Sequence, residues 1–455
     1  MKKKFSVAAV LLAVTMALSG CSDSILESKG ESGTESRENI WTAADEDIVA
    51  FPTADGLTEE QKKLYNITFA EFYKEYSFIC ANAGLNDTKD DASAQLYRQS
   101  VIDMLANEKI ILRKAEELGL ADLTADEMKE VEKEYQKNLD GWYNTFSAQA
   151  QNELGINGSS TTSDSSGSLS DDDKAKIKEK AKELFNNYIK NFGLTEEIFL
   201  VWAKNTFLEK KVMEYTYKDV KVTDAEVDKY INDLIAEAEK TYNEDVSKYE
   251  KATQYGTVWL PEGSRNVKHV FIGISTIDAA EISAARTESG ANQEEVDKLR
   301  DEKLAEVKHL ADAAYKKATE ASEADREKTF DDVLKEYSHD RNDAVTDQTI
   351  TVIKGTKSLT DTLYDAIFGL EKPGDISELI ATDLGYYFFY YKEDAKITDE
   401  DITVQKKNVY DGMLKERQNK AADDALTEWQ DAVKYEYDYE KLNFEKPEEE
   451  DTSSK

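Results

Sequence analysis

The sequence predicts an α+β protein in which a mainly helical chain encloses a short β-rich segment. Apolar residues recur at helical spacing through residues 58–260. Two β-branched or aromatic runs, NVKHVFIGIS and GYYFFYY, are typical of strands, and a long amphipathic helical pattern fills residues 397–440. A chain of 455 residues is long enough for two or three domains of this kind.

The first 21 residues have the pattern of a lipoprotein signal peptide. Three lysines at positions 2–4 precede an apolar run from Phe5 to Leu18, and the run ends in Leu-Ser-Gly-Cys at Cys21. This ending resembles a lipobox, which implies cleavage before Cys21 and lipid attachment to it. We therefore expect an extracytoplasmic protein that a lipid anchors to the cell membrane. An ordinary N-terminal helix with a buried cysteine is the alternative.

Composition predicts which flanking segments are disordered, and capping sequences predict where the helices begin. Residues 22–57 are rich in Ser, Gly and acidic side chains and are predicted to be a disordered tether, as is the acidic tail at 441–455. Capping sequences at Thr58, Thr124 and Thr223 mark helix starts. Leu64 and Leu96 are expected to point inward. The last helix carries an apolar stripe that must pack on another element: Ile402, Val409, Met413, Ala421, Ala425, Trp429 and Val433.

Composition and motifs exclude several classes of function. The net charge of −36 argues against nucleic acid as a partner and favours basic unfolded polypeptide, although acidity for solubility alone explains it equally well. After Cys21 the chain has a single cysteine, Cys80, and therefore no intramolecular disulfide. The three histidines lack zinc spacing, and no P-loop or dinucleotide fingerprint occurs. We expect neither a metal nor a cofactor.

Three sequence pieces occur in an order that resembles a parvulin-type peptidyl-prolyl isomerase domain. They are NVKHVFIGIS, TFDDVLKEYSHD and LYDAIFGLEKPGDISELIATDLGYYFFYYKED. The resemblance implies that residues 265–393 form a four-stranded sheet flanked by helices. Residues 58–260 resemble the N-terminal chaperone region of SurA-like and PrsA-like foldases. This second resemblance implies that the helix at 397–440 returns to the helical domain, so that the parvulin-like domain is an insertion.

The same resemblance assigns candidate site residues. It implies catalytic roles for His269, Asp340 and Tyr387, and substrate binding by Leu359, Leu363, Phe368 and Thr382. Tyr387 stands where the family usually has a second histidine, and Leu363 where it usually has an aromatic residue. The Gly-rich segment expected before the third helix is replaced by AVTDQTITVIKGTKS.

Each candidate residue also has a purely structural interpretation. His269 alternates on a strand, Asp340 follows a helix as a turn residue does, and Tyr387 belongs to an aromatic run. The remaining candidates have spacings compatible with core or strand positions: Leu359, Leu363, Phe368 and Thr382. The resemblance thus implies a foldase that isomerises prolyl bonds and chaperones secreted proteins. A catalytically weak holdase or an assembly scaffold is the alternative, and whether the helical region forms a homodimer stays open.

Overall fold

The computed structural model describes residues 40–446 apart from 86–87, 89–91, 157–168, 250–254, 343–346 and 357. The chain divides into two compact units, of which the first comprises Met1–Lys221 with Leu414–Lys455 and the second Val222–Met413. The sequence instead places the boundary of the helical region near residue 260. The predicted signal peptide with Cys21, residues 22–39 of the predicted tether and residues 447–455 of the tail lie outside the described residues.

The described elements are mostly helices, as an α+β chain with a small sheet requires. In chain order they are β1 (Ile48–Pro52), α1 (Glu59–Tyr65), β2 (Ile67–Thr68), α2 (Phe69–Asn82), α3 (Ala92–Glu117), α4 (Ala125–Leu154), α5 (Asp171–Lys190), α6 (Glu196–Thr216), α7 (Asp224–Tyr242), β3 (Arg265–Gly273), α8 (Thr276–Thr287), α9 (Gln293–Thr319), α10 (Arg326–Tyr337), β4 (Ile350–Val352), α11 (Asp361–Phe368), β5 (Ile380–Thr382), β6 (Gly385–Asp394), α12 (Asp399–Val433), β7 (Tyr435–Tyr437) and α13 (Tyr439–Leu442).

Reciprocal side-chain caps begin several of these helices. Capping boxes are present at Thr58, Thr124 and Thr223, as the sequence predicts, and a further one at Thr68 begins α2. In each box the threonine hydroxyl accepts a hydrogen bond from the backbone three residues later. These bonds satisfy amide groups that the first turn of a helix leaves without a helical partner.

The first unit combines a helical core with a small antiparallel sheet. In that sheet β1 lies between β2 and β7, in the order β2-β1-β7. The prediction of a tether at 22–57 is therefore wrong for residues 40–57, where Trp41 and Val49 are buried. The predicted disordered tail is likewise wrong at its start, because Leu442 and Phe444 are buried in the same cluster. Short apolar segments inside polar composition account for both corrections.

The second half of α12 packs within the first unit. Ala422 and Leu426 are buried against residues of α3 and α6, with Trp429 partly buried beside them: Ile111, Ala115, Val212 and Met213. The sequence assigns Ala421 and Ala425 to this stripe, one position away from the residues that are buried. A long helix with small residues on two adjacent faces gives no sharp periodic signal, which explains the shift.

The second unit contains a four-stranded antiparallel sheet in the order β4-β3-β6-β5, with helices on both faces. On one face Val270 and Phe388 pack against α9 and α10, where Leu304 and Phe330 are buried. On the other face Val267, Ile380 and Phe389 pack against Leu363 and Ile367 of α11. The α+β fold class predicted from the sequence is confirmed.

Within the described part of the chain, no helix is long and apolar enough to cross a membrane. The same residues contain no group of three or more His, Cys, Asp or Glu side chains arranged to hold a metal ion.

Candidate functional site

His269 lies near the middle of β3, on the sheet face that packs against α11. In the register of β3 with β6 it stands opposite Phe389, and Phe271 stands opposite Tyr387. Alternate residues of a strand share a face. These four side chains therefore line one side of the two central strands.

Asp340 meets His269 from the turn that follows α10. One carboxylate oxygen of Asp340, Oδ2, lies 2.7 Å from Nε2 of His269. The other, Oδ1, accepts a hydrogen bond of 2.8 Å from Oγ of Ser338, which itself accepts one of 3.1 Å from the backbone N–H of Phe271. The backbone N–H of His339 donates to the carbonyl of Phe271 at 2.8 Å. The turn is thus joined to β3 by hydrogen bonds from three consecutive residues.

The environment keeps Asp340 negatively charged. Burial on its own would raise the pKa of Asp340, but the hydrogen bond and charge of His269, together with Ser338, hold that pKa below its ordinary value. Burial first, and then the charge of Asp340, raise the pKa of Tyr387, so its hydroxyl stays protonated at neutral pH. Nδ1 of His269 is buried with no hydrogen-bond partner among the described residues, so Asp340 is what orients the ring.

An apolar cup lies beside the His269–Asp340 pair, and we define it by the cluster that α11 forms with the sheet. Leu363 and Phe389 are both buried in this cluster, so the leucine at the position of the family's aromatic residue keeps the cluster apolar. The other buried members are Val267, Val352, Ile367 and Ile380, and the partly buried ones include Leu359, Phe368 and Tyr387.

Two of the predicted substrate-binding residues make contacts with a structural role. The Phe368 ring contacts that of Tyr364 in a tilted pair with centroids 4.4 Å apart, and the Arg265 guanidinium lies 5.3 Å from the Phe368 ring centroid. Thr382 lies in the hairpin between β5 and β6, where its hydroxyl donates to the carbonyl of Gly385 at 2.9 Å. The contacts of Thr382 therefore shape the turn.

The structure brings most of the predicted site together. His269 is hydrogen-bonded to Asp340, and its ring centroid lies 6.1 Å from that of Tyr387. Sequence reasoning missed Ser338 and Phe271. Ser338 lies inside the YSHD sequence that located Asp340, and Phe271 is two residues beyond His269, so strand alternation places it on the same face.

A comparison with family models bears on this region. Residues 280–393 match the model of the rotamase family, described as a PPIC-type PPIase domain. The chain carries a parvulin-type PPIase domain. The matched range includes Asp340 and Tyr387 and every predicted substrate-binding residue, whereas His269 precedes it on β3. No curated protein matches the chain.

Solved structures of foldase proteins align with most of the chain at low identity. PrsA from Bacillus subtilis is 16% identical, with 85% of this chain and 93% of that chain covered and a TM-score of 0.19. PrsA from Lactococcus lactis is 14% identical, with 88% and 100% covered and a TM-score of 0.25. Scores this low do not establish a shared overall arrangement, so the match of residues 280–393 carries the assignment of the PPIase domain.

Proposed function

We propose that this chain is an extracytoplasmic, lipid-anchored foldase that catalyses cis–trans isomerisation of prolyl bonds and chaperones secreted proteins. The observation that carries the proposal is the His269–Asp340 pair beside an apolar cup, in a unit whose residues 280–393 match the PPIC-type PPIase family. His269, Asp340 and Tyr387 are the proposed catalytic residues. Leu359, Leu363, Phe368 and Thr382 are the proposed substrate-binding or site-shaping residues.

The chemistry of prolyl isomerisation needs no nucleophile and no metal. Rotation about a peptide bond meets a barrier of about 18–20 kcal/mol because resonance keeps the amide planar. An enzyme lowers this barrier by binding the twisted amide better than either planar form. An apolar cup can hold the proline ring, while His269 and the anionic Asp340 lie beside the rotating amide.

The first unit is the proposed site of client binding. Its helices and the high negative charge of the chain suit unfolded segments that carry basic side chains, since opposite charges steer association.

Lipid attachment at Cys21 would hold the protein at the membrane surface, and this part of the proposal rests on the sequence of the signal peptide. Replacing Cys21 by serine is expected to release the protein from membranes, as fractionation would measure.

A holdase without isomerase activity is the second candidate, and one observation favours it. Tyr387 stands at the position of the second family histidine and meets His269 ring to ring, with centroids 6.1 Å apart. A phenol with a raised pKa stays neutral near neutral pH, so Tyr387 does not supply the ring nitrogens of the second imidazole that the family site has.

Isomerisation of proline tetrapeptides, together with refolding of a protein limited by prolyl isomerisation, tests the proposal. We expect His269→Ala and Asp340→Ala each to lower kcat/KM about tenfold or more, because each removes one partner of a charge-assisted hydrogen bond. His309→Ala is the matched control, because His309 is exposed on α9. A wild-type rate equal to the uncatalysed rate, with aggregation of clients still suppressed, would reject the isomerase and leave the holdase.

A further inference from the structure

We infer that Phe271 and Tyr387 form a subsite that selects clients with an aromatic or large apolar residue next to the proline. We call this pair the aromatic platform. Its ring centroids are 4.5 Å apart with an interplanar angle of 24°, and both side chains are partly exposed. The inference deepens the proposed function and rests on it for the identity of the bound peptide.

The backbone fixes the position of the Phe271 ring. A Cβ atom on Gly273 would lie 2.7 Å from Cζ of Phe271, so the ring occupies space that only glycine leaves open. Across the strands, a Cβ on Gly385 would lie 2.3 Å from the carbonyl oxygen of Ile272. Gly273 therefore leaves the space in which the Phe271 ring lies against the sheet and stacks on Tyr387, while Gly385 allows the backbones of β3 and β6 to approach closely.

The platform adjoins the cup, because Tyr387 is also one of the partly buried residues of the cup. Tyr387 and Phe389 are alternate residues of β6, and their ring centroids are 6.3 Å apart with an interplanar angle of 10°. Phe389 is a buried member of the cup. Consecutive Cα atoms of a bound peptide are about 3.8 Å apart. A residue flanking a proline in the cup can therefore place its side chain on the platform.

Electrostatics sharpen the expected selectivity. Asp340 is anionic and hydrogen-bonded to His269, whose ring centroid lies 6.1 Å from that of Tyr387, so its negative charge lies near the platform. A second negative charge on the flanking residue would be repelled in this half-buried setting. Aromatic pairs gain about 0.5–1.5 kcal/mol beyond the area that they bury. The expected order of preference is therefore aromatic, then large aliphatic, then alanine, then acidic.

The test uses the full chain and peptides in which the residue before or after proline is Phe, Leu, Ala or Glu. We expect the wild-type protein to prefer Phe over Glu in kcat/KM by about tenfold at one of these two positions. Phe271→Ala should narrow this ratio to about twofold or less, while Phe271→Leu should keep the preference for Leu and weaken that for Phe. Ile277→Ala, a 79% exposed position of the same unit, should leave all ratios unchanged.

Two results would overturn the inference. One is an equal rate for Phe and Glu at both positions in the wild-type protein, and the other is an equal loss for all peptides in Phe271→Ala. Binding of the same peptides, followed by NMR titration, separates this inference from the proposed function. If no peptide is isomerised but the Phe peptide binds more tightly and Phe271→Ala abolishes the difference, the isomerase proposal fails and the subsite stands. Equal binding of all peptides would reject the subsite.

Discussion

Ser338 shows how one small side chain can organise a site. Its hydroxyl donates to Asp340 and accepts from the backbone of Phe271, and the residue is 4% exposed. The same hydroxyl therefore sets the orientation of the carboxylate and the distance between the turn and β3. A buried hydroxyl that both donates and accepts a hydrogen bond contributes about 1 kcal/mol to the free energy of unfolding.

Ser338→Ala is expected to lower kcat/KM for prolyl peptides several-fold, because Asp340 loses a donor and the Phe271 amide loses its acceptor. Thermal unfolding should show a loss of about 1 kcal/mol in the free energy of unfolding. Ser283→Ala serves as control, since Ser283 is exposed on α8. Unchanged kinetics in Ser338→Ala would mean that His269 alone orients the carboxylate.

Lys268 marks the limit of sequence reasoning at the scale of single residues. Strand alternation predicts that His269 and Phe271 share one face of the sheet. It also places Lys268 on the opposite face, which α9 and α10 cover and where a lysine is not expected. Lys268 is 3% exposed, and its amine lies 3.0 Å from Glu327 and 2.7 Å from Asp331 of α10. These partners come from a distant segment, so only the folded structure reveals them.

At the scale of elements, the contact region of α2, α3 and α6 contains three half-buried carboxyl groups. Trp202 donates to Glu75 at 2.8 Å, and Asn205 donates to Glu108. Burial, with the charge of Glu108 as a second cause, raises the pKa of Glu75 to about 7 and that of Glu209 to about 8. Helix packing in the first unit is therefore coupled to protonation near neutral pH.

Glu209→Gln is expected to stabilise the first unit at pH 8.5 but not at pH 4. A carboxyl group whose pKa is raised in the folded state contributes full stability below its ordinary value of 4.5 and loses it as pH rises through 8. The gain at pH 8.5 should be on the order of 1–2 kcal/mol. Chemical unfolding at both pH values measures it, with the exposed Glu214→Gln as control. An equal effect at both pH values would refute the coupling.

Local sequence signals predicted where helices begin better than they predicted which side of each helix is buried. The caps at Thr58, Thr124 and Thr223 begin helices as predicted, because capping depends on neighbouring residues. Leu64 and Leu96 were expected inward but are 46% and 65% exposed. Which side of a helix is buried depends on partners that periodicity does not identify. The site pair of His269 and Asp340 was predictable only through its resemblance to a family, since 71 positions separate the two residues.

At the scale of the whole molecule, the two ends of the described chain meet in one sheet. β1 pairs with β7, and Asn443 donates to the carbonyl of Ile40 at 2.6 Å. The carbonyl of Asn443 also accepts a hydrogen bond of 2.6 Å from the buried Arg98. Both ends of the chain are polar in composition, so the sequence did not predict that β1 and β7 would pair.

Truncation after Lys434 should therefore destabilise the first unit by several kcal/mol. It removes β7 together with Leu442 and Phe444, and each such buried side chain contributes about 1.5–3 kcal/mol. Calorimetry should show the first unit melting at a temperature at least about 5–10 °C lower. Truncation after Lys446 is the control, since it keeps every described residue. Equal melting of both truncated chains would show that the sheet contributes little.

The pairing of β1 with β7 also determines when the first sheet can fold during synthesis of the chain. A ribosome delivers β1 early and β7 near the end, so the first sheet cannot close until almost the entire described chain has been made. Contacts this distant in sequence form slowly, because a long loop must close before they stabilise anything. During its own synthesis, the chain thus passes through a prolonged state in which β1 has β2 beside it but lacks β7, and the apolar residues that β7 and α13 cover stay exposed.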